Sequence, residues 1–445
     1  MAIHYYDIGD YLDRNEKLKI IADANGLHGI AWQTITPNEK HDWINQRGEL
    51  FDSFISLGAK RDKDAETMFD TFAIGVATNR DAWCYNFSRD ALSDNMTRMI
   101  AFYNEQVEAY KERKEWDKEI TVEQFIDTDP KKIAWTRSLR NDVRKTLIHS
   151  HDDQAYCTCM YRPFVKQHLY YDKPFIESPG IWSQIFPEQG MENLIISFCG
   201  KGGVKDFSPL IHNTIVDLNL QDAGTQCFPY WIYDIPRLAQ SEMFPRTRRE
   251  NISDGSLSAF VQRYGDDTIT KEDIFYYVYG ILHSSSYRER FASDLKKQLP
   301  RIPMVDDFKT FSKAGRQLAE LHLNYETGKM YPLEEIATGS VSFKVVQMRY
   351  PSKTDKSKII YNGTLTLDGI PSEAYRYIVN GKSALDWIME RYAVTTHKDS
   401  GIVNDPNDWC REIGNERYIV DLIKRIVHLS VESVKIIEGL PEVEF

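Results

Sequence analysis

Leu194-Ile195-Ile196-Ser197-Phe198-Cys199-Gly200-Lys201-Gly202-Gly203-Val204-Lys205 sets a run of apolar side chains, interrupted only by one serine, directly before a glycine-rich turn. A short apolar run closed by glycine has the length of a buried strand, not of a helix. The same texture, with runs such as Leu169-Tyr170-Tyr171 cut by Gly, Pro and Asp, extends over 156–234 and makes that stretch β-rich. Upstream, residues 61–150 are charged and mostly helical in spacing, with an amphipathic helix predicted over 95–115 and a basic one over 131–145. In the basic helix Leu139, Val143 and Leu147 form one stripe and Arg137, Arg140 and Arg144 a second. Residues 1–60 read as the end of an α/β unit, with strands near 4–8 and 29–34 around a helix over 13–25. Downstream, Thr270 caps a helix that Pro300 ends, and a second helix covers 306–325. Strands over 342–348 and 358–367 follow, with Asn362-Gly363 read as a tight turn between them, and helices over 384–392 and 416–437 close the chain. The expected class is α+β: a short α/β remnant (1–60), a helical spacer (61–150), a β-rich domain with packed helices (151–330) and a smaller mixed C-terminal subdomain (331–445).

The chain has 445 residues, 42% of them apolar, with 25 Tyr, 21 Phe and 9 Trp, which is material for several packed cores and excludes a disordered chain. Trp43, Trp83, Trp135, Tyr161, Tyr276, Tyr277 and Tyr279 are expected inside, because a large aromatic gains more from burial than from exposure. There is no apolar run of about 18 residues and no basic-then-apolar leader, so a cytoplasmic location is expected. Six irregularly spaced cysteines do not make a disulfide framework.

Chemistry is signalled mainly by absences. No Gly-x-x-x-x-Gly-Lys-Ser/Thr loop, Gly-x-Ser-x-Gly elbow or His-Glu-x-x-His occurs. Cys199 to Lys205 lacks the Lys-Ser/Thr ending of a nucleotide loop and reads as a turn, with a nucleic-acid phosphate contact compatible with it. His149, His151, Cys157 and Cys159 do not fit tetrahedral zinc spacing, and no metal site is assigned. The net charge of −11 opposes phosphate binding in sum, but cations cluster locally. They gather at Arg137, Arg140 and Arg144, at Lys201 and Lys205, at Arg246, Arg248 and Arg249, and at Arg349 and Lys353. Arg suits guanine O6/N7, and phosphate contacts set register, so these ten are the candidate DNA-binding residues.

Longer strings carry a resemblance. Tyr6-Asp7-Ile8-Gly9-Asp10-Tyr11-Leu12, Thr36-Pro37-Asn38-Glu39, Asp42-Trp43-Ile44-Asn45-Gln46-Arg47, Thr78-Asn79-Arg80-Asp81-Ala82-Trp83 and Tyr161-Arg162-Pro163-Phe164 are similar to the part of type ISP restriction–modification enzymes that follows their catalytic domains. So are Leu169-Tyr170-Tyr171-Asp172, Tyr277-Val278-Tyr279-Gly280-Ile281-Leu282-His283-Ser284, Leu321-His322-Leu323-Asn324-Tyr325-Glu326 and Ser400-Gly401-Ile402-Val403-Asn404-Asp405-Pro406-Asn407. The resemblance implies that 1–60 is the tail of an adenine methyltransferase domain and that 151–330 is a target recognition domain for double-stranded DNA carrying a short asymmetric site. It further implies upstream methyltransferase and helicase domains in one polypeptide, with S-adenosylmethionine, ATP and Mg as cofactors of that parent enzyme. No cofactor is assigned to this chain, which lacks the Asn/Asp-Pro-Pro-Tyr/Phe tetrapeptide of such methyltransferases and is expected not to be catalytic. Two other readings stay open: a structural or protein-interaction module without DNA binding of its own, and an adenine methyltransferase with an unrecognised cofactor site.

Overall fold

A computed structural model of the protein describes residues 2–9, 12–44, 46–60, 65–188, 190–234 and 247–445. The short apolar runs form strands. Ala73–Ile74 (β1), Tyr85–Asn86 (β2), Tyr156–Arg162 (β3), Val165–Tyr170 (β4), Ile195–Phe198 (β5), Leu210–His212 (β6), Ile215–Val216 (β7) and Gln226–Pro229 (β8) make two four-stranded sheets. The first has the order β7-β3-β4-β2, with β3 and β4 joined as a hairpin and β7 parallel to β3, Ile215 opposite Cys159. The second has the order β1-β8-β5-β6 and is antiparallel, Gln226 facing both Ile74 and Phe198.

The second sheet is a partition, and this explains why β5 is apolar except for Ser197, whose hydroxyl bonds His212. Successive side chains of a strand point to opposite faces. Ile195, Leu210 and Cys227 enter one hydrophobic core, while their neighbours Ile196, Ile211 and Phe228 enter another. A strand with a core on each face has no polar side to show.

The first core is completed by helix Arg89–Trp116 (α1), which buries Leu92, Met96, Met99, Tyr103 and Val107 at intervals of three or four, and by the C-terminal helix Tyr418–Glu438. Helix Arg137–Arg144 (α2) adds Leu139 and Val143. The second core rests on helices Lys271–His283 (α3) and Phe308–Leu323 (α4). These two cross at glycines: a methyl group on Gly280 would lie 2.2 Å from the Phe311 carbonyl oxygen, and one on Gly315 1.9 Å from that of Tyr276. The glycine in the Tyr277 to Ser284 string is therefore a packing requirement. Thr270 caps α3 as expected, in a reciprocal box with Asp273.

Several expectations are corrected. The basic helix starts at Arg137, because Thr136 caps it there, and it ends at Arg144; Leu147 lies beyond the end and is 44% exposed. The helix expected from Thr270 to Pro300 breaks into three at Ser284 and Phe291, with Ser284 capping Ser285–Arg290 (α5). No strand forms over 342–348. There the Asn362 amide donates to the Ser342 and Lys344 carbonyls, and Asn407 bonds both the N–H and the C=O of Val345, so side chains satisfy the backbone that a ladder would otherwise hold. Strands Lys358–Ile360 and Leu365–Asp368 do pair across Asn362-Gly363, in a three-stranded sheet with Glu334–Ala337. Of the aromatics, Trp83, Tyr277 and Tyr279 are buried, and Trp135, Tyr161 and Tyr276 are half-buried against the cores, but Trp43 is 54% exposed.

At the N-terminus, Ile3–Tyr5 pairs with Gln33–Ile35 around helix Arg14–Asp23, which buries none of its residues. Leu18, Ile21, Leu27 and Trp32 stand out from this unit at 51%, 55%, 71% and 43% exposure. All six cysteines are free thiols. Among the described residues no helix is long and apolar enough to cross a membrane.

Candidate nucleic-acid interface

The chain leaves β8 through Tyr230 into strand Trp231–Tyr233 (β9), which pairs antiparallel with Arg248–Glu250 (β10), Tyr233 opposite Arg248. Two buried asparagines lock this ribbon to the sheet. The Asn193 amide donates to the carbonyls of Ile185 and Trp231 and accepts from the N–H of Trp231. Asn251 donates to the carbonyls of Thr71 and Pro229 and accepts from the N–H of Thr71. A rigid base is what a reading element needs, and a two-stranded ribbon is narrow enough to enter a major groove.

The ribbon carries two of the expected cations. The Arg248 guanidinium lies 4.1 Å over the Trp231 ring, with Nη1 3.5 Å from the Tyr233 hydroxyl. Arg249 Nη1 is 2.6 Å from the Asp70 carboxylate, both side chains being nearly half exposed. Lys271, at the start of α3, lines the same surface and pairs with Asp254 at 2.6 Å. Arg246 lies outside the described residues. Beside the ribbon opens a cleft of about 1680 Å³ whose walls present Gln154, Thr158, Asn193 and Asn213, but also Glu192, Glu250 and Glu272. Those carboxylates oppose a polyanion within the cleft, whereas on the adjoining surface Arg248, Arg249 and Lys271 stand among Asp70, Glu250 and Asp254.

The remaining cations sit on three other elements. Lys201 and Lys205 occupy the turn after β5, where Gly202 takes φ +83° and donates to the Lys296 carbonyl. The N–H groups of Val204 and Lys205 both point at the Asp222 carboxylate, at 2.7 and 3.4 Å. An internal carboxylate thus fills the place that a phosphate would take, and the Lys201 and Lys205 side chains are exposed. Arg137 is exposed on α2, Arg140 is half-buried with Nε unpartnered, and Arg144 pairs with Glu123 and Asn141. Arg349 exchanges main-chain hydrogen bonds with Ile360, and Lys353 lies in the exposed bend after it.

Sequence reasoning missed Trp231, Lys271 and the convergence of two distant strings. Asn79 to Trp83 and, from the other string, Ser400, Ile402 and Asn404 line one cavity of about 630 Å³ together with Tyr161. They meet because Asn86 donates to the Val403 carbonyl and Asn404 accepts from the Phe87 N–H. Within this wall Arg80, 3% exposed, bonds Thr136 through one nitrogen and leaves Nη1 without a partner. The run Tyr230-Trp231-Ile232-Tyr233, set before Arg248-Arg249, was the available signal for the ribbon. Of the histidines and cysteines weighed for zinc, His149 bonds Asp142 and stacks on Tyr103, His151 bonds Tyr156, and burial pushes the Cys157 thiol up to about 12.

Comparison with solved structures places this arrangement. The chain is 35% identical to a nuclease-deletion mutant of the type ISP restriction–modification enzyme LlaGI in complex with a DNA substrate mimic, with a TM-score of 0.88 over all of this chain and 39% of that one. It is 34% identical to the ATP-dependent type ISP enzyme LlaBIII bound to DNA, again at 0.88, covering 28% of that chain. A DrdV–DNA complex matches at 28% identity and 0.85, with 44% of its chain covered. The chain therefore spans less than half the length of each of these, and no curated protein matches it. Residues 67–422 match the type ISP C-terminal specificity domain, and with full-length likeness to two type ISP enzymes the chain belongs to that family, as its specificity portion and not a catalytic one.

Proposed function

We propose that this chain recognises double-stranded DNA at a short asymmetric site, with the β9–β10 ribbon as its reading element. The observation that carries the reading is the ribbon itself: Arg248 braced on Trp231 and Arg249 held by Asp70, on a base pinned by Asn193 and Asn251. The three solved relatives are described as bound to DNA or to a DNA mimic, which supports the same reading. Arg246, Arg248 and Arg249 contact base edges in this scheme. Lys201, Lys205, Arg349, Lys353, Arg137, Arg140 and Arg144 are assigned to phosphates, which fix register without specifying sequence.

Such a reader serves an adenine methyltransferase and an ATP-driven translocating nuclease by holding the duplex in place while the target base leaves the stack, at a cost of a few kcal/mol. The exposed apolar side chains Leu18, Ile21, Leu27 and Trp32 suit a contact with those upstream domains of the same polypeptide, since isolated solvent exposure of so many is unfavourable. The test is selection from random-sequence duplexes in moderate salt. One enriched asymmetric motif, bound at least about tenfold tighter than its scrambled form, is expected from typical specificity ratios. Recovery of unenriched sequence would leave a protein-interaction module as the function.

A further inference from the structure

The glycine turn after β5 is gripped from the C-terminal subdomain. Strands Ile378–Val379 and Lys382–Ser383 form a hairpin whose turn, Asn380-Gly381, has both residues left-handed, at φ +49° and +78°. The Asn380 side-chain oxygen accepts from the Asp222 N–H at 3.2 Å, and the Asn380 N–H donates to the Ser208 hydroxyl at 2.8 Å. Asp222 in turn accepts from the N–H groups of Val204 and Lys205 through one carboxylate oxygen and from that of Ala223 through the other. Gly381 also meets Lys205 directly: a methyl group on it would lie 2.8 Å from Lys205 Cδ and 3.5 Å from Cγ and Cε. The lysine stem therefore lies across the bare glycine.

Held at its N–H and along its stem, Lys205 keeps an uncommitted charge. Its side chain is exposed, and among the described residues its ammonium has no hydrogen-bond or ion-pair partner. Arg144, Arg249 and the neighbouring Lys296 differ, since they face Glu123, Asp70 and Asp206. A lysine ordered in advance is ready for an anion, because part of the rotamer entropy that contact would cost is already lost. The turn follows the Phe198 end of β5, whereas the ribbon follows the Pro229 end of β8, which pairs with Ile195. Three residue steps separate those ends by about 10 Å along the sheet, or about three base pairs. We propose, on the strength of the DNA reading above, that the Asn380-Gly381 turn positions Lys205 for a backbone phosphate, with Gly381 as the positioning residue. The C-terminal subdomain thereby sets the register of the duplex at a distance from the bases that the ribbon reads.

Fluorescence anisotropy of the full chain with the selected duplex, run as a double-mutant cycle at three salt concentrations, tests this. Lys205→Ala should lower the slope of log K against log salt by about 0.9, the loss of one phosphate contact. Gly381→Asn keeps the left-handed backbone, which asparagine tolerates, and puts side-chain atoms where the Lys205 stem runs. It should weaken binding about 2- to 13-fold, the cost of immobilising one long side chain only at contact, and leave the Lys205→Ala chain unaffected. A merely structural glycine would weaken both chains alike, and that result, or affinity within twofold for Gly381→Asn while Lys205→Ala lowers the slope, would overturn the positioning alone. Unchanged affinity and slope in Lys205→Ala would overturn the phosphate contact and the proposal with it, leaving the ribbon as reader. Absence of duplex binding by the unmodified chain would sink the DNA reading itself. Should Gly381→Asn not fold, Gly381→Ala, whose methyl group meets the same Lys205 Cδ, goes through the same cycle with the same criteria.

Discussion

Replacing Arg249 and its partner Asp70 one at a time separates a base contact from a phosphate contact. In the free protein Arg249 and Asp70 form an exposed ion pair at 2.6 Å, with side-chain exposures of 49% and 42%. Pairs of this kind contribute about 0–1 kcal/mol, because water and salt screen them. DNA therefore has little to overcome in drawing the guanidinium away. A bidentate contact to guanine is worth about 1–3 kcal/mol of discrimination, so Arg249→Ala should lower affinity for the selected duplex roughly 5- to 150-fold and relax one base position. If Arg249 instead neutralises a phosphate, all sequences weaken alike and the slope of log K against log salt falls by about 0.9. Asp70→Asn frees the guanidinium and should tighten binding by up to about fivefold, the equivalent of the lost pair. Fluorescence anisotropy at three salt concentrations, with selected and scrambled duplexes, reads all of these. Affinities for Arg248→Ala and Arg249→Ala within twofold of the unmodified chain, at every salt, would refute the ribbon as the reading element.

Other outcomes follow from the same contacts. Gly315→Ala places a methyl group 1.9 Å from the Tyr276 carbonyl, so α3 and α4 must move apart; urea unfolding should show about 1–3 kcal/mol lost, despite the roughly 1 kcal/mol that alanine gains in a helix. Thr270→Ala removes the box that caps α3 and should cost about 1 kcal/mol in the same assay. Glu335 accepts from Arg417 and Lys424, which hold its carboxyl down to about 2. A depressed acid stabilises the fold above its unfolded value and loses that contribution as pH falls toward the folded one. Urea midpoints should therefore drop between about pH 4.5 and 2, and Glu335→Gln should flatten that drop; equal pH profiles would contradict it.

The second sheet also links the ribbon to the stability of the fold. Its strand β8 continues into the ribbon, and both faces carry core. A substitution at Phe228, which packs on Phe69, Phe72 and Phe198, thus disturbs the ribbon's base as well as the core.

What the amino-acid order determined by itself was local. The apolar run at Leu194–Phe198 had to become a buried strand, Thr270 had to begin a helix, and Asn362-Gly363 had to turn, because each depends on neighbours within a few residues. The strings shared with type ISP enzymes were equally readable, and they identified the family before any contact was known. Tertiary structure decided the rest. Nothing near residue 342 announces that Asn362 and Asn407 will take its backbone, and nothing near Trp43 announces that no core reaches it. The glycine stretch was legible as a turn, but not that Asp222, seventeen residues beyond Lys205, would accept from its N–H groups. Likewise the alternation of β5 between two cores, and the pairing of Trp231 with a strand fifteen or more residues away, arise from long-range packing. A side chain's partners across the fold are set by where the chain returns, and local propensity carries no information about that return.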